Sequence, residues 1–296
     1  MISHRQTQSH LGFHRFVFAI VLLLSACRDG EGPPVNFEKC GPLPSRPPSQ
    51  LVIAGSGVNL PVFSRIVAMY KEQHDGRNIS MPPSIGSSGA VKALADGAIH
   101  IGLASRPLRD FEKKFGIEQI EFARIPMVAA VHKDTKIGSL SVSELEAIYS
   151  GKRKTWDNGT NIVPIFREEG DSGLLLIEKA LPSLHKVLQS QQRPPTGKFC
   201  YTEEAVIASL QRIPGAIGFT DMGTVNLLQV PVNTTLLYGG LSNGADMKRP
   251  IFRPLYIITR ENSPKAVSEF IEFCFSQQVS RFMKNSGYAL PQNGEN

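Results

Sequence analysis

Arg167 to Gly173 read Arg-Glu-Glu-Gly-Asp-Ser-Gly, and this stretch admits two kinds of chemistry. A serine set between Gly-Asp and Gly can act as a nucleophile when a histidine base stands beside it. Placed after an arginine and at the start of a helix, the same serine can instead donate a hydrogen bond to an oxyanion. Two other stretches share the second pattern: GSGVNLP from Gly55 and SIGSSGA from Ser84. Each runs from a strand through small residues into a helix. A helix start offers unpaired N–H groups and the positive end of a dipole. Glycine lets the backbone approach a ligand closely. Any one of the three is an ordinary helix start, because Gly, Ser and Asn are favoured there anyway. Three in one chain, one of them fed by an arginine, point to a dehydrated cradle for a tetrahedral anion. No G-x-x-x-x-G-K-[ST] or G-x-G-x-x-G is present to support a nucleotide.

The elements that must hold these loops alternate. LVIAG from Leu51, ISMPP, HIGLAS and IPMVAAVHK read as strands, as do IVPIFR, AIGFTD and LYIITRE later in the chain. Amphipathic helical segments fall between them, which predicts an α/β fold. Asn59 is placed to cap a helix carrying Phe63, Ile66, Val67 and Tyr70 on one face. Ser141 and Glu144 have the spacing of a capping box, with Leu140 and Leu145 as its apolar staple. Asp171 or Ser172 caps the helix that carries Leu175 and Leu176. Ser263-Pro264 starts the last helix, in which Cys274 reads as a buried thiol.

The ends of the chain carry other information. Arg5 and Arg15 precede the apolar run Phe16–Leu24, then Ser-Ala-Cys. A basic segment, a short apolar stretch and small residues predict a signal peptide over 1–26. Leu24–Cys27 resembles the bacterial lipobox, implying lipidation of Cys27 and membrane attachment. Prolines at 33, 34, 42, 44, 47 and 48 make residues 27–50 a semi-rigid tether. The formal charge of +6 falls by two if Arg5 and Arg15 are removed. That favours anions only weakly, and no basic run with interleaved aromatics supports nucleic-acid binding. Cys40 and Cys200 are the pair to test for a disulfide in an oxidising compartment. The histidines and cysteines show no metal-ligand spacing, and no cofactor is implied.

Taken together, five segments carry a family resemblance: GSGVNLP, IGSSGAVKALADGAIHIGLASRPL, LSVSELEAIYSGKRKTWDNG, VPIFREEGDSG and PGAIGF. With RPLYIIT and the terminal SGYALP, their order resembles the phosphate-binding proteins of bacterial high-affinity phosphate importers, over about Leu51 to Pro291. The resemblance implies a two-lobed, type II-like periplasmic-binding-protein fold with two hinge strands. Lobe one would take 51–127 and 251–296, and lobe two 128–250. It implies a non-enzymatic, monomeric receptor facing the periplasm or cell exterior, delivering phosphate to an ABC permease.

The site carries over position by position. Asn59 stands where the family has Thr or Ser. Ser87, Ser88 and Gly89 fall on its second anion loop. Where the family reads S-D-A-P-L, this chain has Ser105-Arg106-Pro107-Leu108, so the Asp that accepts the proton of hydrogen phosphate is missing. That acceptor is what repels sulfate, so its loss opens the question of phosphate specificity. Asp171 and Glu168 are possible substitutes. Arg167 matches the family arginine. Asp171 either replaces a serine or is inserted before Ser172-Gly173, and the family threonine becomes Gly173 or Leu174. The ligand set is therefore Asn59, Ser87, Ser88, Gly89, Ser105, Arg106, Arg167, Asp171, Ser172 and Gly173.

Two other readings stand beside this one. The first is a general oxyanion receptor, or a scaffold that keeps the fold as a sensor or adhesin without a ligand. The second is a serine hydrolase. A trypsin-like enzyme wants GDSGGP and a mostly β fold, whereas Leu174 follows Gly173 here and helices are strong. G-x-S-x-G is absent too, which makes Ser172 a donor or cap rather than a nucleophile.

Overall fold

The structure, a computed structural model, describes residues 50–190, 195–239 and 249–291. The signal peptide, Cys27, Cys40 and the tether up to residue 49 lie outside the described residues.

The chain opens with β1 (Leu51–Gly55), α1 (Leu60–Gln73), β2 (Ile79–Ser80), α2 (Gly86–Ala95) and β3 (Ile101–Ala104). The long β4 (Ile117–His132) follows. Then come α3 (Val142–Tyr149), β5 (Val163–Phe166), α4 (Ser172–Ala180), α5 (Pro182–Gln189), β6 (Lys198–Phe199), α6 (Glu203–Arg212) and β7 (Ala216–Asp221). After α7 (Met222–Leu227) come β8 (Val232–Leu236), β9 (Tyr238–Gly239), β10 (Arg249–Pro250) and β11 (Phe252–Arg260). The helices α8 (Lys265–Cys274) and α9 (Gln277–Asn285) close the chain. Strand and helix alternate because buried runs such as Ile53-Ala54 and Ile101–Ala104 are flanked by amphipathic helices that cover the sheet.

One mixed sheet runs β2-β1-β3-β11-β4-β7-β5-β6, with β8 also paired to β4. Its middle is the two-lobed feature. β4 pairs antiparallel with β11 along its first part, from Ile117↔Arg260 to Pro126↔Phe252. From Met127 onward it pairs with β7, and from Val128 with β8. β4 and β11 are thus the two strands that pass between lobes, and each lobe is an α/β layer built on one end of them. The first core gathers Ile53, Phe63, Tyr70, Leu103, Ile125, Leu255 and Phe270. The second gathers Met127, Val131, Tyr149, Phe166, Ile177 and Phe219. The two cores meet between Ile125 and Met127 on β4. Although α7 falls within 128–250, Met222 and Leu227 pack on the first core. No described helix is long and apolar enough to cross a membrane.

Local signals behaved unevenly. Ser141 and Glu144 form the capping box in both directions. Asp171, rather than Ser172, is the cap of α4. Asn59 does not cap α1: its backbone is already helical, and its amide nitrogen donates to the Ala104 carbonyl at 3.0 Å. A 3-10 turn over Gly57–Asn59 starts the helix instead. Ser263 likewise turns back to the Arg260 carbonyl, leaving Pro264 before α8. The strand expected at IPMVAAVHK begins at Ile117, eight residues earlier than Ile125. Cys200 is a buried free thiol with Sγ 3.5 Å from the Ser209 Oγ, and Cys274 is buried as expected.

Candidate functional site

Between the lobes lies a cavity of about 320 Å³. Its wall is assembled from the ends of strands, as expected where α/β sheets bind ligands. Lobe one supplies Ser56 from the turn after β1, with Ser84 and Gly86–Gly89 from the start of α2. Lobe two supplies Arg167, Asp171 and Ser172 around the start of α4, with Thr202 and Glu203 at the start of α6. β11 supplies Arg253 from the crossing.

The helix starts differ in what they leave open. α2 has no side-chain cap, so its first-turn amides at Ser87, Ser88 and Gly89 are the ones left for a ligand. At α4 the Asp171 carboxylate accepts the Gly173 and Leu174 amides at 2.9 and 3.2 Å. At α6 the Thr202 hydroxyl accepts the Ala205 amide.

Four serine hydroxyls converge. Ser105 Oγ lies 2.8 Å from Ser56 Oγ, 3.3 Å from Ser87 Oγ and 2.7 Å from Ser172 Oγ. The Ser105 amide also donates to Ser87 Oγ. Ser105 is 2% exposed and stands behind the wall, where it orients three hydroxyls instead of lining the cavity. Ser172 bonds a serine oxygen rather than a histidine nitrogen, so the arrangement is one of donors and not of a nucleophile with its base.

The three arginines have different duties. Arg106 lines the cavity, yet its guanidinium grips Glu112 with two bonds of 2.7 Å. Its remaining Nη hydrogens go to the Pro107 carbonyl and the Ser88 hydroxyl. Both members of the ion pair are buried. Burial pushes the Glu112 carboxyl up, and the contacts with Arg106 and Arg109 outweigh it and hold it low. The cation next to Ser105 is therefore neutralised by a partner six residues on, and only its Nε–H is left to give. Arg167 pairs with Asp171 through Nε at 3.1 Å and Nη2 at 2.6 Å. Burial raises the Asp171 carboxyl, but the charges of Arg167 and Arg253 leave it below the usual range.

Arg253 is 3% exposed, and its Nε has no hydrogen-bond partner among the described residues. It lies against the start of α4: a Cβ on Gly173 would stand 2.6 Å from its Nη2. The missing side chain at 173 is what makes room for the guanidinium. Around it stand Asp171, Glu203 and Asp221, whose ionisation its charge favours.

Of the ten residues expected from sequence, Ser87, Ser88, Gly89, Arg106, Arg167, Asp171 and Ser172 lie on the cavity wall. Asn59, Ser105 and Gly173 stand behind it. Asn59 is fully buried with its amide turned to Ala104, and the first loop instead presents Ser56. Sequence reasoning missed Ser56, Arg253 and Glu203. A signal for Ser56 existed, since it lies between two glycines of the first loop.

Comparison with known proteins is consistent with this geometry. The family model described as the PBP superfamily domain matches residues 43–278. Among curated relatives, the phosphate-binding protein PstS 2 of Streptococcus agalactiae is 30% identical over 109 residues, 37% of each chain. The phosphate-binding protein PstS of Staphylococcus aureus is 30% identical over 142 residues, 46% of this chain and 41% of that one. The chain thus spans about two-fifths of the length of these relatives. A Clostridium perfringens protein assigned as a phosphate ABC transporter substrate-binding protein, solved with bound phosphate, shares the fold. Its TM-score is 0.67 at 21% identity, over 82% of this chain and all of that one. An ABC-type phosphate transport receptor from Vibrio cholerae gives 0.56 at 20% identity, with the same coverage. With the family model spanning most of the chain, this protein belongs to the PBP superfamily.

Proposed function

We propose that this chain is an extracytoplasmic receptor that captures inorganic phosphate between its lobes and hands it to an ABC permease. The observation that carries the reading is the small interlobe cavity, where the uncapped start of α2, three converging hydroxyls and buried arginines face one another. These are donors arranged for a compact oxyanion, and they provide no group that breaks a bond. The phosphate-binding relatives and structural neighbours support the choice of anion. Ser56, Ser87, Ser88, Gly89, Arg167, Ser172 and Arg253 are the proposed contacts, with Arg106 contributing through Nε. Asp171 positions Arg167. Ser105 and Gly173 shape the wall, and Asn59 ties the first loop to β3. In the cell the chain acts as a monomer, held to the membrane by lipid on Cys27 after removal of residues 1–26.

Isothermal titration of the full chain in detergent with phosphate is the direct test. Heat that saturates at one phosphate per chain is expected, and Arg253→Gln should weaken it at least tenfold. A folded chain that binds no oxyanion would leave the ligand-free scaffold reading in its place. Retention of Cys27 lipidation is checked by mass spectrometry of the purified protein.

A further inference from the structure

Glu203 is a carboxylate on the wall of an anion cavity, a position that works against the proposed ligand unless something neutralises it. The residue is 7% exposed and sits at the first turn of α6. The Thr220 hydroxyl donates to its Oε1. It presses on the first lobe: a Cβ at Gly57 would lie 2.9 Å from Glu203 Cβ, so that turn needs a glycine to admit it. Its location is built, and it is not a surface acid turned inward.

The charges around it do not balance when it is ionised. Arg106 is matched by Glu112, and Arg167 by Asp171. What remains is Arg253, facing Glu203 from β11 and Asp221 from the end of β7. Asp221 is fully buried and already accepts the amide and hydroxyl of Thr224. Glu168 also lines the cavity, and Glu204 follows on α6 beside Gly57. One cation against two carboxylates leaves an excess negative charge where an anion must enter. Among the described residues no group of His, Cys, Asp and Glu could hold a metal ion to cancel it. A proton can.

We infer that Glu203 is the specificity-determining residue of this cavity, binding an oxyanion only with one proton held in the contact between its carboxyl group and the ligand. Hydrogen phosphate brings that proton itself and donates it to the Glu203 carboxylate. Sulfate brings none, so Glu203 must first take a proton from solution and then donate it to a sulfate oxygen. Both complexes hold the same single proton, drawn from different sources. Burial followed by the neighbouring Asp221 pushes the carboxyl up to about 7, against the pull of Arg253, so the protonated form is accessible near neutrality. Glu203 thereby takes over the discrimination that is lost where Ser105-Arg106 replaces Ser-Asp, and neither Asp171, locked to Arg167, nor Glu168 is needed for it. This assignment rests on the phosphate reading of the site.

The test is calorimetry of the full chain with inorganic phosphate and with sulfate from pH 5.5 to 8.5, in two buffers of different ionisation enthalpy. Expected for the native chain is uptake of one proton per sulfate at pH 8 and none per phosphate. Sulfate affinity should fall about tenfold per pH unit above pH 7, and the phosphate preference should widen with pH. Glu203→Gln should abolish the sulfate proton uptake and flatten its pH dependence. Glu203→Asp should keep both. Sulfate binding that ignores pH in the native chain, sulfate that fails to bind even at pH 5.5 while phosphate binds, or an unchanged profile in Glu203→Gln would each overturn the assignment alone. If neither anion binds the folded native chain, the phosphate reading itself falls. Should Glu203→Gln not fold, the native chain's two-buffer proton count still decides.

Discussion

Ser105 and Ser172 stand 67 residues apart in sequence, and their hydroxyl oxygens lie 2.7 Å apart. One follows β3 in the first lobe, and the other begins α4 in the second. This hydrogen bond ties the lobes behind the cavity wall, and the Ser105 hydroxyl also meets those of Ser56 and Ser87.

Ser105→Ala should therefore act on stability before it acts on chemistry. It leaves up to three hydroxyls, those of the buried Ser56 and Ser87 and of the half-buried Ser172, to find new partners, a loss of about 1–3 kcal/mol. Urea unfolding should show a lower midpoint with an unchanged slope. No change in midpoint would mean that Ser56, Ser87 and Ser172 pair among themselves without their hub.

The Arg106–Glu112 pair separates a structural cation from a ligand. Arg106→Met strands a buried carboxylate and should cost about 3–5 kcal/mol. Arg106→Met with Glu112→Leu should recover most of that, because the two charges leave together. Phosphate titration of the double variant is expected to stay within about tenfold of the native chain. A deeper loss would return Arg106 to the ligand set as more than an Nε donor.

Gly173→Ala tests the space that Arg253 occupies. The new methyl would stand 2.6 Å from Arg253 Nη2 and 3.0 Å from Asp171 Oδ1. The guanidinium must give way, at a cost of about 1–3 kcal/mol, and phosphate affinity should fall with it. A crystal structure of the variant with Arg253 unmoved would refute the packing argument.

Stability should fall as the solution becomes alkaline through the neutral range. The Glu203 carboxyl titrates at about 7 when folded, above its ordinary value of 4.5. Between those values the unfolded chain has lost the proton while the folded chain keeps it. Folding stability from this group is thus full below about pH 4.5, declines as pH rises, and is lost by up to ~3 kcal/mol above pH 7. Asp171 acts in the opposite sense: its lowered carboxyl stabilises above the ordinary carboxylate range, and that part is lost in acid. Denaturant unfolding at pH 5.5 and 8 should show the first slope, and Glu203→Gln should reduce it, leaving the part that the raised, buried Asp221 carboxyl contributes in the same sense.

What could be read from the sequence was mostly local. The capping box at Ser141 and Glu144, the cap at Asp171 and the small-residue opening of α2 depend on neighbours within one helical turn. Partners chosen by tertiary structure were not visible. Asn59 looks like a cap until β3 offers the Ala104 carbonyl. Arg106 looks like a new charge at the site until Glu112 folds back to it. Glu203 looks like an ordinary acid in a first helical turn, where the dipole favours one. Arg253 stands two residues before LYIITRE, the segment that reads as a strand, and only the pairing of β11 with β4 shows that the strand starts earlier and turns Arg253 inward to the cavity. The first half of β4 escaped notice because Glu118, Gln119 and Glu121 interrupt its apolar residues.

The crossing strands also carry prolines where the lobes meet. Pro126 faces Phe252, and Pro254 faces Arg124. A proline cannot donate to a ladder, but Arg124 exchanges both of its backbone bonds with Ala289, on the side away from β11, and Pro126 two residues on shares that side, so neither proline removes a rung between the two strands. β4 and β11 run unbroken past these positions, so the lobes share one continuous beam, and movement of one against the other is the bending of that beam rather than the turning of a loop.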